Sequence, residues 1–157
     1  MFQFIRTHVL IPSQTLEASA VYDALRKGHA YFSIELLTEA KGFSFMAQND
    51  ERSLGIMGDE VAVEPNLRLT AVLPAPAQLT LFRDGQPIAT ETAQTWEVPV
   101  DSPGVYRLEA SRHDKPWIFS NPIYILPPEP VQEMIAEEIE DGPRPSAPSA
   151  SETPTTP

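Results

Sequence analysis

The sequence contains no cysteine, so disulfides, thiolate catalysis and cysteine-ligated zinc are excluded. Basic residues are also scarce: 11 lysines and arginines stand against 22 acidic residues. Nucleic acid and anionic membrane surfaces require clustered positive charge, and the composition argues against both partners. No apolar run approaches the roughly 18 residues that a membrane-spanning helix needs. No signal peptide is visible, so the compartment stays open, with the cytoplasm as the default.

Proline and acidic residues are concentrated at the C-terminus. Eight of the 17 prolines lie in residues 127–157, together with seven carboxylates and a single base, Arg144. Residues 131–142 (VQEMIAEEIEDG) are compatible with a short acidic helix, although it would be marginal alone. The segment that follows is low in complexity and has little apolar surface. We therefore expect 127–157 to be an acidic, proline-rich, disordered tail.

The first 40 residues predict a strand, a helix and a second strand. Residues 4–11 are apolar and β-branched, which is typical of a short buried strand. Residues 16–27 place apolar side chains at three- and four-residue spacing, and Gly28 is the predicted left-handed helix cap. Residues 30–37 predict the next strand. This order is typical of a βαβ unit, so we expect the two strands to be parallel.

From residue 42 onward, short apolar strands alternate with turn signals about every 8–12 residues. The segment 49–60 predicts a polar loop. Leu67, Leu69, Ala71 and Leu73 alternate along a strand that we expect the PAPAQ segment, 74–78, to end. Asp84–Gly85 predicts a tight hairpin turn. About seven antiparallel strands in this space are typical of an immunoglobulin- or fibronectin-like β-sandwich.

The stretch RHDKPWIFSNPIYIL, residues 112–126, predicts the closing strand. Pro116 is expected to open it, and Pro122 to occupy an edge position or bulge, since neither position then needs an amide donor. Trp117, Phe119 and Ile123 would point into the core.

No catalytic or ligand-binding motif is evident, and the binding residues stay unknown. His8, His29 and His113 lie on different predicted elements without metal-ligand spacing, so His8 is only a remote metal-ligand candidate. The acidic pairs Asp50–Glu51 and Asp59–Glu60 lack the calcium-loop spacing and are interpreted as solvated turn charges.

Two further candidates have structural alternatives. Ser111, His113 and Asp114 lie too close in sequence for the geometry of a catalytic triad. Trp96 and Trp117 could stack on a sugar, but in alternating strands each is expected to face the core.

Five segments together resemble a known family, over about residues 5–126. The resemblance is to the C-terminal portion of PHP-superfamily metal-dependent phosphoesterases of the CehA/McbA-like metallohydrolase group. The segments, in chain order, are YDALRKGHAYFSIELL, MGDEV, LFRDGQPIA, GVYRLEAS and KPWIFSNPIYI.

The resemblance implies that residues 1–40 are the remnant of the end of a PHP-type α/β barrel and that 41–126 form an accessory β-sandwich. The metal ligands of the family lie upstream of the matched region, so no catalytic residue carries over. Divalent metals (Mn, Zn or Fe) are expected only in a full-length relative. A barrel domain or chain is the expected partner of residues 4–37, and the oligomeric state stays open.

The expected function is therefore a non-catalytic accessory module of a PHP-type phosphoesterase. The alternative is a stand-alone β-sandwich that binds a glycan or a protein.

Overall fold

The computed structural model describes residues 4–11, 17–36 and 38–128. Within them the chain is mainly β, with ten strands and one short helix in a largely antiparallel sheet. The elements are β1 (Ile5–Val9), α1 (Ala18–Lys27), β2 (Ala30–Ile34), β3 (Ser44–Gln48), β4 (Ser53–Ile56), β5 (Glu60–Ala62), β6 (Arg68–Arg83), β7 (Gln86–Pro99), β8 (Gly104–Arg112), β9 (Lys115–Ser120) and β10 (Ile123–Leu126). The predicted acidic helix, and the predicted tail apart from Pro127 and Pro128, lie outside the described residues.

The sheet follows the order β1-β2-β9-β8-β6-β3-β4. β7 pairs with β6, and β10 lies between β8 and β5. The β10–β5 pair is parallel, whereas the other pairs among the described strands are antiparallel. Since β2 pairs with β9, the sheet runs across the domain boundary predicted at residue 40, and that division stays a prediction.

The predicted parallel arrangement of the first two strands is wrong. β1 and β2 are antiparallel neighbours, with Ile5 opposite Ile34 and Val9 opposite Ala30. Two neighbouring strands are parallel only if the connection carries the chain back to the end of the sheet at which the first strand began. The connection through α1 does not do this, because β2 begins at Ala30, opposite the last residue of β1, Val9. The order strand–helix–strand alone therefore did not determine the direction of pairing.

Two other boundaries differ from the sequence prediction. β6 continues through Pro74 and Pro76, because its pairing with β7 is interrupted between Val72 and Ala77 and no ladder amide is needed there. The segment expected to be a polar loop, 49–60, contains β4 and the first residue of β5.

The core follows the predicted alternation. Leu67, Leu69, Ala71 and Leu73 are all buried, and they join one core cluster with residues of β3, β8, β9 and β10. The predicted Asp84–Gly85 turn is confirmed, since both residues have positive φ angles between β6 and β7.

The stretch at 112–126 forms two strands rather than one. β9 contains Pro116, and β10 begins immediately after Pro122. Trp117 and Ile123 are buried as expected, whereas Phe119 is only partly buried and stacks on Phe32 at 4.5 Å.

Helix α1 is attached mainly through the backbone at its C-terminus. Gly28 adopts the predicted left-handed conformation, with φ of 78°. Gly58 packs directly against this cap and donates its amide to the Pro122 carbonyl at 2.7 Å. A Cβ added at Gly58 would overlap the Lys27 carbonyl oxygen and come within 2.7 Å of the Gly28 carbonyl carbon. No described helix is long and apolar enough to cross a membrane.

The Gly58→Ala substitution is expected to lower the free energy of unfolding by more than about 1 kcal/mol, measured by chemical denaturation. Gly42→Ala is the matched control. Gly42 has nearly the same φ, 94° against 95°, but an added Cβ there meets nothing within 4 Å. Backbone strain is therefore common to both variants, and the extra loss in Gly58→Ala measures the close approach. Equal losses in the two variants would contradict this attachment.

Candidate functional site

A polar network lies on the inward face of the β1–β2 pair. The antiparallel register puts His8 opposite Tyr31 and Arg6 opposite Ser33, so their side chains share one face. Glu35 follows β2 two residues after Ser33 and joins the same face. The sequence singled out His8 alone, and the structure gives it these four neighbours.

Glu35 is the centre of the network, and its side chain is 3% exposed. One carboxylate oxygen accepts hydrogen bonds from the Ala40 amide and the Ser33 hydroxyl, each at 3.0 Å. The other oxygen lies 2.9 Å from the Arg6 guanidinium.

Burial raises the pKa of Glu35, but the surrounding groups outweigh burial. Hydrogen bonds from the Ala40 amide and the Ser33 hydroxyl lower the pKa, and the Arg6 charge and the His8 hydrogen bond lower it further. As a result, the pKa of Glu35 lies below its ordinary value. Glu35 is therefore a charged carboxylate at neutral pH.

The His8 imidazole ring makes polar contacts through Nε2 and a stacking contact through its face. Nε2 lies 3.0 Å from the Ser33 hydroxyl oxygen and 3.1 Å from the Glu35 carboxylate. The ring stacks on Tyr31 with centroids 4.4 Å apart. Because the Ser33 hydroxyl donates to Glu35, we assign the proton to Nε2, with both oxygens as acceptors.

Tyr31 anchors the other side of this stack. Its hydroxyl donates to the Ala40 carbonyl at 2.8 Å. Burial, followed by the nearby Glu35 charge, raises the pKa of Tyr31 to about 12. The phenol therefore stays neutral, and the stacked pair is fixed between the strands.

The network contains serine, histidine and a carboxylate but does not have the arrangement of a catalytic triad. In a triad the serine and the acid contact opposite ring nitrogens, whereas here Ser33 and Glu35 share Nε2. Ser33 is also fully buried. A metal ion would have to bind His8 through Nδ1, and the described residues contain no group of three or more suitable ligands. The geometry is that of a structural network joining β1 to β2.

A second polar cluster forms where three of the resembling segments meet. Gly28 and His29 come from the first segment, Asp59 from MGDEV, and Asn121 from the last segment. His29 Nε2 lies 2.7 Å from the Asp59 carboxylate. Asn121 donates its side-chain amide to the Gly28 carbonyl at 2.9 Å. We call Gly28, His29, Gly58, Asp59 and Asn121 the junction.

One member of each acidic loop pair, Asp50 and Asp59, contacts other protein groups. Asp50 contacts Arg68 at 2.5 Å and accepts from Asn66. The hydrogen bond and charge of Arg68 lower the pKa of Asp50. Asp59 also accepts the Ile56 amide in addition to its contact with His29. These contacts are consistent with turn charges.

Ser111, His113 and Asp114 are not brought together as a triad. The Ser111 hydroxyl donates to Gln78 at 3.4 Å. His113 and Asp114 both have positive φ angles at the turn between β8 and β9, so their backbone serves the hairpin.

Both tryptophans pack against the core. Trp117 is buried, and its indole nitrogen donates to the Thr38 carbonyl at 2.9 Å. Trp96 is partly buried against the core cluster. Trp117 is therefore held inside the fold, and Trp96 contributes part of its side chain to core packing.

Sequence reasoning missed Glu35 and the pairing of His29 with Asp59. The spacing of Ser33 and Glu35 places both on one face of a strand, which was a usable signal. Their approach to His8 required the antiparallel register, which the sequence pattern did not predict. The His29–Asp59 contact joins distant segments and had no local signal.

Comparison with known proteins found no match: no family model, no curated protein and no solved structure is significantly similar to this chain.

The Glu35→Gln variant is expected to have a lower denaturation midpoint than the parent protein at pH 7. It is also expected to lose less stability than the parent protein when the pH is lowered. The folded-state pKa of Glu35 is lowered, so its stabilisation is present above the unfolded pKa of about 4.3 and is lost as pH falls through the folded pKa. Denaturation midpoints between neutral pH and pH about 3 test this.

The control is Glu39→Gln, which changes an exposed carboxylate nearby. If both variants show the acid dependence of the parent protein, Glu35 does not stabilise the β1–β2 pair as a charged group.

Proposed function

We propose that the chain is a C-terminal accessory module of a PHP-type metal-dependent phosphoesterase, without catalytic activity of its own. The observation that carries this proposal is an apolar surface on the outward face of the antiparallel β1–β2 pair. We call it the hairpin surface, and it consists of Ile5, Phe32 and Leu36, all exposed. The barrel is proposed to precede β1 in a full-length relative.

The distribution of exposed apolar residues supports a partner at this end. Six of the eleven exposed large hydrophobic residues in the described chain lie between residues 4 and 36. Exposed apolar residues that are grouped in one part of the fold are typical of a contact with another protein surface. Ile5 is 59% exposed and Leu36 53%, so covering them would contribute about 25 cal/mol for each Å² removed from water. We propose that a barrel domain or chain covers them.

The junction supports the resemblance on which the proposal depends. Residues from three separate resembling segments contact one another through a cap, a close backbone approach and two polar contacts. These are structural roles, and they suit an accessory module better than a catalytic one.

The proposed finer fold is an immunoglobulin- or fibronectin-like sandwich for residues 41–126, with 1–40 as the end of the barrel. It is supported by the alternating inward residues of β3, β6 and β8, which share one core cluster. Divalent metals are proposed for the full-length relative only.

The alternative is a stand-alone module that binds a glycan or protein. Trp96 and Trp117 pack against the core, which argues against glycan binding through these rings. The hairpin surface is compatible with a protein partner.

The purified chain is expected to hydrolyse a generic aryl phosphate no faster than buffer, with Mn²⁺ or Zn²⁺ added, because its described residues provide no three-ligand metal group. Product release followed by absorbance measures this. Metal-dependent turnover that disappears in the His8→Ala variant would overturn the proposal. Unchanged folding of that variant, checked by circular dichroism, is the control.

The chain is expected to bind a hydrophobic dye through the hairpin surface. The Ile5→Ser/Phe32→Ser variant should bind less dye than the parent chain, measured by dye fluorescence, because it removes exposed apolar area. Ile88→Ser is the control, since Ile88 is 50% exposed on another hairpin. A clean monomer by light scattering, together with no dye binding, would count against a docking surface.

A further inference from the structure

Strand β7 is a long edge strand of the sheet. It pairs with β6 and with no other described strand, and none of its 14 residues is buried. Residues 78–83 of β6 pair with β8 on one side and with β7 on the other, so this part of the sheet runs from β1 to β7. The edge at β7 is therefore at the opposite end from the hairpin surface.

One hydrogen bond shows which backbone groups of β7 point away from β6. The Thr92 amide donates to the carboxylate of its neighbour Glu91 at 3.0 Å, so this amide lies outside the β6–β7 ladder. Amides of an antiparallel strand point alternately to its two sides, and Thr90 therefore presents its backbone on the same side as Thr92. These groups are the donors and acceptors that an added strand would use.

The sequence of β7 contains few of the features that protect edge strands. Natural edges are short or carry lysine, proline or bulges. Between Ile88 and Val98 there is no lysine, proline or glycine, and three threonines favour an extended strand. Pro87 and Pro99 lie near the two ends. Pairing with β6 is regular over Ala89–Ala93, and we call the unpaired side of these five residues the β7 edge.

The charges of β7 favour a basic partner. Glu91 and Glu97 are its charged residues, and both are exposed. Glu97 lies 3.7 Å from Arg68, whereas Glu91 has no cationic partner within the part of the chain that the structure describes. A second copy of the chain would bring one net charge of −11 against another, and like charges oppose association. A strand with lysine or arginine opposite Glu91 would be attracted instead.

We propose that the β7 edge binds an extended basic segment of another protein as an added strand. A carbonyl of the partner replaces the Glu91 carboxylate as the acceptor of the Thr92 amide. The released carboxylate then pairs with a lysine or arginine of the added strand. Backbone hydrogen bonds supply the affinity in this mode of binding, and the charge supplies the selectivity. The interaction does not depend on the hairpin surface or on the proposed barrel partner.

Peptide selection on the full chain tests the proposal. The probe is a displayed library of random peptides of about 12 residues, roughly twice the length of a typical strand. The enriched peptides are expected to contain lysine or arginine together with β-branched residues. No enrichment, or enriched peptides without basic residues, would overturn the proposal.

The Thr92→Pro variant tests whether an enriched peptide binds the β7 edge. Proline removes the outward amide but no ladder hydrogen bond to β6, so the peptide is expected to bind at least about tenfold more weakly, measured by fluorescence anisotropy. Thr92→Ala is the matched control, because it removes the same side chain and keeps the amide, and its affinity should stay within about twofold of the parent chain. Equal affinities of the two variants would contradict binding at this edge.

The charge of Glu91 is tested separately. Glu91→Lys is expected to weaken binding of the basic peptide roughly fivefold, since a cross-strand attraction becomes a repulsion. Glu39→Lys makes the same change in net charge at an exposed residue beyond β2, far along the sheet from β7, and should have a smaller effect. Equal weakening in both variants would mean that net charge alone determines binding, and the proposal would then be wrong.

Methylation of the peptide backbone provides a measurement on the unchanged protein, in case Thr92→Pro fails to fold. Alternate amides of an added strand point to opposite sides, so only one of the two alternate sets faces β7. N-methylation of one set should abolish binding, and N-methylation of the other set should preserve it. Equal effects of both modifications would contradict strand addition. A dimer of the purified chain that Thr92→Pro dissociates, seen by light scattering, would also overturn the proposal and assign the edge to a second copy.

Discussion

The close approach of Gly58 to the end of α1 is the contact on which the N-terminal part of the fold depends. Ala24 is the buried residue of α1, so side-chain packing alone holds the helix weakly. The backbone compensates, since Gly58 meets the Gly28 cap and Asn121 donates to the Gly28 carbonyl. The cap at Gly28 comes two residues before β2, which pairs with β9 on one side and with β1 on the other. The absence of a side chain at Gly58 therefore allows the end of α1 to approach this turn closely.

Much of the β-rich fold could be predicted from local pattern. Alternation identified the buried positions from Leu67 to Leu73, and turn chemistry identified Asp84–Gly85, because both signals depend only on neighbouring residues. Strand direction and continuity depend on partners elsewhere in the chain. The antiparallel β1–β2 pair and the passage of β6 through Pro74 and Pro76 were missed for that reason.

The same limit explains why the polar network was only partly predicted. His8 was recognised as a candidate from its residue type, but its neighbours are defined by the register. The parallel pairing that we expected would not have placed His8 opposite Tyr31, as the antiparallel register does. Glu35 looked like an ordinary charge at the end of an apolar strand. Its role follows from the donors around it, and three of these, Arg6, His8 and Ala40, lie outside β2.

The inward face of the β1–β2 pair is polar and the outward face is apolar. Together the two faces explain how β1, an edge strand, can be exposed and still have a defined position. The inward face holds a buried carboxylate that needs Arg6, His8 and Ser33 in one arrangement, because a buried charge without its partners is costly. This requirement fixes the register of a strand only five residues long. The outward face contains Ile5 and Phe32. The Phe32 ring stacks on Phe119, so the apolar surface extends to β9. A register fixed on one face gives the apolar residues on the other face defined positions, which the proposed docking surface would require.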